Sequence, residues 1–149
     1  MKKLKYLALV ALLVPVMVVL TACGGRPSEL RGTWEPEFGT YNLVLESNGD
    51  FTWGELEGTW SGRRVQRRSE NVPIIGRVRA AHGTLTLTPT GNAEVMEFVW
   101  LTSSMPAIEI LGETIPAINM LLLFAPEVDL DLDNDDLNVA PLYEFNLAS

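Results

Sequence analysis

The sequence has few of the residues that most enzymes use for nucleophilic and acid–base chemistry. Its 149 residues contain one cysteine, Cys23, and one histidine, His82. A disulfide within one chain is therefore excluded, and any nucleophile would have a single histidine available as its base. His82 stands beside Gly83 between two predicted strands, where we expect a surface or turn residue. Because the sequence also lacks a glycine-rich phosphate loop, we predict that the protein is not an enzyme.

Lysine is absent after residue 5, and the only long apolar run, residues 6–20, directly follows the three lysines of the chain, Lys2, Lys3 and Lys5. A basic start, a short apolar segment and small residues before a cut site are typical of a secretory signal peptide. The run has fifteen residues, fewer than the roughly 17 that a spanning helix needs, and Pro15 would kink such a helix. We therefore predict that residues 1–22 are a cleaved signal peptide.

The end of this segment, Leu20-Thr21-Ala22-Cys23 followed by Gly24, resembles the lipobox of bacterial lipoproteins. In that family, a lipid is attached to the cysteine sulfur, and cleavage leaves this cysteine as the first residue. The resemblance implies that Cys23 carries acyl chains such as palmitate and that residues 23–29 tether the protein to a membrane. It implies a lipid-anchored protein of the cell envelope that faces the periplasm or the exterior. Gly24 is not the acidic residue that often marks inner-membrane retention in Gram-negative lipoproteins, which favours the outer membrane in such a cell.

Basic residues are few and are confined to one part of the chain. Without residues 1–22, eight arginines stand against nineteen acidic residues, a formal charge of −11. This charge argues against nucleic acid as a partner, because such binding depends on cationic contacts to phosphates. Residues 80–149 contain acids and no arginine. Six clustered arginines form a candidate surface for an anion or a partner protein, with an exposed solubilising hairpin as the alternative: Arg63, Arg64, Arg67, Arg68, Arg77 and Arg79.

Apolar and polar residues alternate with a period of two in many short segments, as in strands with one buried face. Leu43 and Leu45 alternate before Asn48-Gly49, a strong hairpin signal, and leucines alternate with threonines in residues 84–88. Residues 117–124 are apolar on both faces, which suits a buried strand or a short helix, and we favour the strand. The sequence therefore predicts an all-β fold of about eight strands, arranged as a small antiparallel up-and-down barrel or sandwich.

Four segments within residues 30–88 are similar to the small lipocalin-like domains of bacterial lipoproteins: Gly32-Thr33-Trp34, Asn48-Gly49-Asp50-Phe51, Gly58-Thr59-Trp60 and Gly83-Thr84-Leu85-Thr86-Leu87. In that family, the first Gly-x-Trp opens strand one and its Trp closes the barrel floor, a role that falls on Trp34 here. The resemblance implies one lipocalin-like β domain over residues 30–149. It also implies that the domain binds a small apolar or amphipathic ligand. If the barrel is open, the candidates to line its mouth are Trp53, Phe98 and Trp100.

A second hypothesis makes the domain an envelope protein-interaction or structural module. It rests on the segregation of charge, since the arginine-rich and acidic parts of the chain would form two faces of opposite sign. These faces would contact a partner protein, or they would attract each other within one fold. An open apolar cavity favours the ligand-binding hypothesis, and a filled barrel favours the interaction module.

The acidic loop, residues 127–138, offers a candidate calcium site. Its aspartates stand at alternate positions, and the first three match positions 1, 3 and 5 of an EF-hand loop, which binds Ca²⁺ through oxygen ligands. Asn134 stands where that loop has its turn glycine, and Ala140 where it has its bidentate glutamate. A solvated acidic loop is the alternative. The candidate ligands are Asp129, Asp131, Asp133 and Asp135.

Overall fold

The segments that alternate with a period of two form strands that close into an antiparallel barrel. The computed structural model describes residues 26–91, 93–133 and 138–148. Its strands are β1 (Gly32–Pro36), β2 (Leu43–Leu45), β3 (Asp50–Trp53), β4 (Leu56–Val72), β5 (Gly76–Pro89), β6 (Met96–Met105), β7 (Ile108–Ile110), β8 (Glu113–Ile115), β9 (Ile118–Phe124) and β10 (Tyr143–Leu147). Around the barrel the order is β1-β2-β3-β4-β5-β6-β9-β10, and β10 pairs with β1 to close it. The all-β prediction is confirmed, as is the strand within residues 117–124.

Because neighbouring strands are antiparallel, the chain turns alternately at the two ends of the barrel. We call one end of the barrel the mouth. It is formed by the connections after β1, β3, β5 and β9, whose described residues are 37–42, 54–55, 90–91 with 93–95, and 125–133 with 138–142. We call the opposite end, formed by residues 26–31, 46–49, 63–79 and 104–119, the arginine end. A 3₁₀ turn, Ser28–Leu30, leads into β1 at the arginine end. Among the residues described, no helix has the length and apolar content needed to cross a membrane.

The barrel interior is filled by side chains that alternate inward along each strand. The largest of them are fully buried: Trp60, Trp100, Phe51 and Phe145. Leu30 of the 3₁₀ turn is also fully buried and closes the arginine end. Its carbonyl oxygen accepts a hydrogen bond of 2.8 Å from the indole N–H of Trp34. Trp34 is the third residue of β1, the barrel's first strand, and it is buried where the chain enters the barrel.

Two β-ribbons extend past the barrel at the arginine end. The first, the arginine ribbon (residues 66–79), is the outer part of the β4–β5 hairpin, and β6 pairs with it only as far as Arg79. The second, the isoleucine ribbon (residues 106–117), continues the β6–β9 hairpin in the same register through β7 and β8. Pro106 and Pro116 interrupt its ladder, because proline has no N–H to donate. Residues 63–68, which hold four of the six clustered arginines, lie in β4 where the arginine ribbon begins.

β5 runs without a break through His82 and Gly83, where the sequence predicted a boundary between two strands. At this point β4 approaches closely, because a Cβ atom on Gly83 would overlap the carbonyl oxygen of Arg63. The register of β4 shifts just beyond, between Arg64 and Gln66. The expectation that His82 is a surface or turn residue is wrong, since its side chain is only 4% exposed.

A second apolar cluster lies on the outside of the barrel wall. Val99 and Leu101 of β6 and Phe124 of β9 point away from the interior, and Leu130 packs onto them. Leu130 belongs to the connection after β9, which the sequence marked as an acidic loop. The loop therefore presents leucines to the barrel and aspartates to solvent, and this covering explains why β6 and β9 are apolar on both faces.

Candidate functional site

The mouth holds a cavity of about 820 Å³. Three connections and the ends of β1, β3, β4, β6 and β10 contribute its walls, and apolar side chains make up most of them. Its volume lies within the roughly 300–1,000 Å³ that is usual for small-molecule sites. The large apolar and aromatic lining residues include Phe38, Tyr41, Trp53, Met96, Leu142 and Tyr143.

The floor of the mouth cavity is a cluster of aromatic rings centred on Trp53. The Trp53 ring meets the ring of Tyr143 edge-on, with the centroids 4.8 Å apart. It makes similar contacts below, at 6.2 Å with Phe98 and 6.0 Å with Phe145. Edge-to-face pairs at these distances stabilise one another by about 0.5–1.5 kcal/mol beyond their area burial, so the floor is held in place before any ligand arrives.

The structure places the three predicted ligand-binding residues at different depths. Trp53 lines the mouth cavity directly. Phe98 lies beneath it, 8% exposed, and supports its ring. Trp100 is fully buried in the barrel core, where its indole N–H donates a 3.0 Å hydrogen bond to the carbonyl oxygen of Thr84. Trp53 is therefore the one of the three that a ligand in this cavity would touch.

Sequence reasoning missed the rest of the mouth. Phe38 and Tyr41 flank a turn glycine, Gly39, and Leu142 and Tyr143 follow Pro141, so each pair sits in or beside a connection. The available signal was the placement of large apolar residues next to turn residues, where a globular domain normally exposes polar groups. Phe38 is 85% exposed, which is unusual for a phenylalanine that serves only the core.

The charges beside the mouth cavity are all negative. Glu55 and Glu144 line it, and of the described residues that line it none is arginine or lysine. An anionic headgroup would therefore meet carboxylates at the rim and no basic partner. A neutral or cationic headgroup would find hydrogen-bond acceptors there. The site selects for an apolar body and against a free negative charge.

The six predicted anion or partner residues lie at the arginine end, near Arg26 and Arg31. One depression, of about 400 Å³, is bordered by Arg63 and Arg64 together with those two. A second cavity, of about 290 Å³, is lined by the 3₁₀ turn and by residues of β4, β5, β6 and β9, and it is bordered by Arg31, Arg67 and Arg79. The two remaining residues belong to the arginine ribbon: Arg68 and Arg77.

One carboxylate is built into this basic end. Glu29 Oε1 accepts a 2.6 Å hydrogen bond from Arg64 Nη1. Partial burial raises the pKa of Glu29, but hydrogen bonds from its own backbone N–H and from Arg64, with the charges of Arg64 and Arg67, outweigh that effect. The net result is a pKa below the usual value, so Glu29 is ionised at neutral pH and fixes the 3₁₀ turn to β4.

The acidic loop is fastened to the barrel wall through Gln66. The side-chain oxygen of Gln66 accepts a 2.9 Å hydrogen bond from the backbone N–H of Leu132, and its amide nitrogen donates to Asp133 Oδ2 at 3.1 Å. Within the described part of the chain, no three His, Cys, Asp or Glu side chains are grouped as metal ligands. Asp129, Asp131 and Asp133 lie on the solvent side of this loop, and Asp135 of the proposed calcium set lies outside the described residues.

His82 is the buried end of the same network. Its Nε2 lies 2.9 Å from Gln66 Oε1, and because that oxygen can only accept, Nε2 carries the proton and donates. Burial lowers the pKa of His82, and the nearby charges of Asp131 and Asp129 only partly oppose this. At neutral pH the imidazole is therefore neutral and acts as a structural link beneath the acidic loop.

The free energy of unfolding should fall as the pH is lowered below the usual histidine pKa, about 6.5. The folded state holds His82 neutral to a lower pH than the unfolded state does, so its contribution is complete above that value and is lost as the unfolded chain takes up a proton. Urea unfolding at about pH 7.5 and about pH 5.5, above most carboxylate pKa values, measures the change. The variant His82→Gln keeps a neutral donor, and an equally large pH effect in it would contradict this assignment.

The closed eight-stranded barrel with an aromatic mouth defines a small up-and-down β-barrel, consistent with a lipocalin-like fold. Comparison with protein-family models, with curated proteins and with solved structures finds no match for this chain.

Proposed function

We propose that this protein is a lipid-anchored protein of the cell envelope that binds a small apolar or amphipathic ligand in the mouth of its barrel and catalyses no reaction. The observation that carries the proposal is the mouth cavity of about 820 Å³ with its aromatic floor. Below this floor the barrel is filled, so the ligand occupies the outer end of the barrel and does not run through it. The ligand is held by apolar contact with rings that are already packed against one another.

The chemistry of the rim narrows the class of ligand. Glu55 and Glu144 border the cavity, and the described residues of the mouth end carry no arginine or lysine. A free fatty acid would bring its carboxylate toward Glu55 and Glu144. That carboxylate would lose hydrating water and would find no cationic partner among the described residues of the rim. A neutral amphiphile with hydroxyl groups, or a cationic one, fits the rim better.

The anchor through Cys23 follows from the lipobox resemblance, and the fold gives it a consistent geometry. The described chain enters the barrel at the arginine end, where Arg26 donates a 3.2 Å hydrogen bond from Nε to the carbonyl oxygen of Trp60. Three residues beyond Cys23 reach at most roughly 10 Å. A lipid on Cys23 would therefore hold the arginine end near the bilayer and leave the mouth facing away from it.

Native mass spectrometry of residues 23–149 carrying Cys23→Ser, incubated with a lipid extract of the host's envelope, tests the binding proposal. All strand pairing of the barrel lies within Gly32–Leu147, so this chain keeps every described residue of the fold. We expect a small-molecule adduct that survives desalting. The variant Trp53→Ala, which removes the centre of the floor, should weaken the adduct about tenfold, since burying one aromatic side chain contributes roughly 1.5–3 kcal/mol.

The matched control is Val95→Ala, which trims an exposed apolar side chain outside the residues that line the cavity. It should leave the adduct unchanged. A bare monomer mass with every extract would overturn ligand binding, and a co-purifying envelope protein would then favour the interaction module. The lipid anchor is tested separately, by the intact mass of the native protein, where an unmodified chain would contradict it.

A further inference from the structure

The two ribbons end in fully exposed apolar side chains. Ile74 at the tip of the arginine ribbon is 88% exposed, and Leu111 at the tip of the isoleucine ribbon is fully exposed. Behind Leu111, the register of β7 and β8 places Ile108, Ile110 and Ile115 on one face of that ribbon. Both tips extend past the closed barrel in the same general direction, because both ribbons leave it at the arginine end.

The backbone at both tips would suit other residues better. Ile74 has φ 74° and Leu111 has φ 56°, in the left-handed region that Asn and Gly adopt readily. For a β-branched residue such as isoleucine this conformation is strained. Leu111 and Gly112 form a two-residue turn with two positive φ angles, for which Asn-Gly is the preferred pair. Large apolar side chains therefore occupy turn positions where they are costly and where the fold gives them little to pack against.

Charge separates this end from the rest of the surface. All eight arginines of the described residues lie at the arginine end, together with six acids: Glu29, Glu46, Asp50, Glu70, Glu109 and Glu113. The acidic loop also reaches the base of the arginine ribbon, where Asp133 accepts a hydrogen bond from Gln66 and the carbonyl oxygen of Leu132 accepts one from Arg68. Two of these acids are already paired, Glu29 with Arg64 and Glu70 with Arg68. The remaining described surface carries acids only. The arginine end is therefore the part of the described surface where an anionic bilayer finds cationic groups, and the mouth offers it none.

We infer that the arginine end is a membrane-docking face, in which Ile74 and Leu111 enter the interfacial region of an anionic phospholipid bilayer and the neighbouring arginines contact its phosphates. A bilayer surface of this charge binds apolar side chains that have cationic neighbours, and Arg77 follows Ile74 by three residues on the arginine ribbon. Leu111 is flanked by Glu109 and Glu113, so its ribbon contributes apolar contact, and the phosphate contacts come from the arginine ribbon and the 3₁₀ turn. Two separate tips offer no contiguous apolar area of the size that a stable protein interface buries. The orientation rests on the proposed anchor at Cys23, because both features would then face the same membrane.

Vesicle flotation with the unlipidated chain tests the docking face without the anchor. Residues 23–149 carrying Cys23→Ser are mixed with vesicles of phosphatidylglycerol and phosphatidylcholine, or of phosphatidylcholine alone. We expect binding to the anionic vesicles that weakens with added salt. The double variant Ile74→Asn, Leu111→Asn should bind about 100-fold more weakly, roughly tenfold for each apolar side chain lost. Because Asn tolerates positive φ, this variant should unfold at the same urea concentration as the parent or a higher one.

The matched control is Val95→Asn, which removes an exposed apolar side chain away from the arginine end and should leave vesicle binding unchanged. Equal binding by the parent and the double tip variant, or no binding of the parent to anionic vesicles, would overturn the inference. Self-association that the tip variant abolishes, without vesicle binding, would assign the tips to a second copy of the chain. None of these outcomes depends on a ligand in the mouth or on the lipid at Cys23, so failure here is distinct from failure of the proposed function.

Discussion

Replacing Trp100 with alanine is expected to lower the free energy of unfolding by about 4 kcal/mol, since Trp-to-Ala changes in cores usually cost about 3–5 kcal/mol. Trp100 is fully buried and belongs to the main core cluster. The change leaves a large cavity at the centre of the barrel and also removes the hydrogen bond to the carbonyl oxygen of Thr84. A loss of that size is a large part of the roughly 5–15 kcal/mol by which small domains are stable.

Urea unfolding followed by far-ultraviolet circular dichroism measures this loss, and Trp53→Ala is its control. Trp53 is only partly buried at the mouth, so its removal should cost about 2 kcal/mol or less. The assigned depths of the two tryptophans would be wrong if Trp53→Ala cost as much as Trp100→Ala. Because Trp53→Ala is also the ligand-binding variant, the same experiment shows that weaker binding does not come from unfolding.

Replacing Gly83 with alanine is expected to cost about 3 kcal/mol, although it adds one methyl group, because overpacking of a tight site typically costs about 1–3 kcal/mol and sometimes more. A Cβ atom at this position meets the carbonyl group of Arg63 and the Cα atom of Arg64. These are backbone atoms of the neighbouring strand, so no side-chain rotation relieves the overlap. The β4–β5 pair must separate locally or lose hydrogen bonds.

Thermal unfolding of Gly83→Ala against Thr84→Ala measures this effect. Thr84 is the next residue on β5 and its side chain is exposed, so its change to alanine alters strand propensity alone and should cost under about 1 kcal/mol. If the two variants melted at the same temperature, the close approach of β4 and β5 at Gly83 would not be a feature of the folded protein.

The barrel is predictable from sequence because its physical signals are local. Leu43 and Leu45 alternate before the Asn48-Gly49 turn, and the structure pairs β2 with β3 across that turn. The final strand, β10, carries the same local signal, since Tyr143, Phe145 and Leu147 alternate with polar residues. No single segment of the sequence predicts that the barrel closes, because the pairing of β10 with β1 depends on the number of strands and on their tilt.

The burial of His82 was not predictable from its neighbours, because it depends on a segment far along the chain. The loop that covers it is acidic overall, and its sequence suits a solvated loop. Only the alternation of Leu130 and Leu132 with aspartates signalled that one side of the loop packs against a surface. Which surface it covers is a tertiary question that sequence periodicity cannot answer.

The candidate site was predictable in part. The sequence offers Trp53 as an aromatic residue that would line the mouth of an open barrel, and the structure brings it to the mouth cavity. The sequence offers Trp100 on the same grounds, but its side chain lies in the core. The alternation of residues along a strand distinguishes the inner face of the barrel from the outer face, and it does not tell how far along the barrel axis a residue lies. The apolar residues of the mouth connections follow no regular alternation in sequence, so no periodic pattern predicts that they line a site.

The pairing of β1 with β10 joins Trp34 to Leu147, at opposite ends of the described chain. Contacts between residues so far apart in sequence are slow to form, because most of the chain must be ordered before the loop between them closes. Until then both strands present unpaired edges to solvent. During this time two molecules can exchange their last strand, β10, and form a domain-swapped dimer. The β1–β10 pairing therefore limits the rate of folding and the protein concentration at which the chain folds as a monomer.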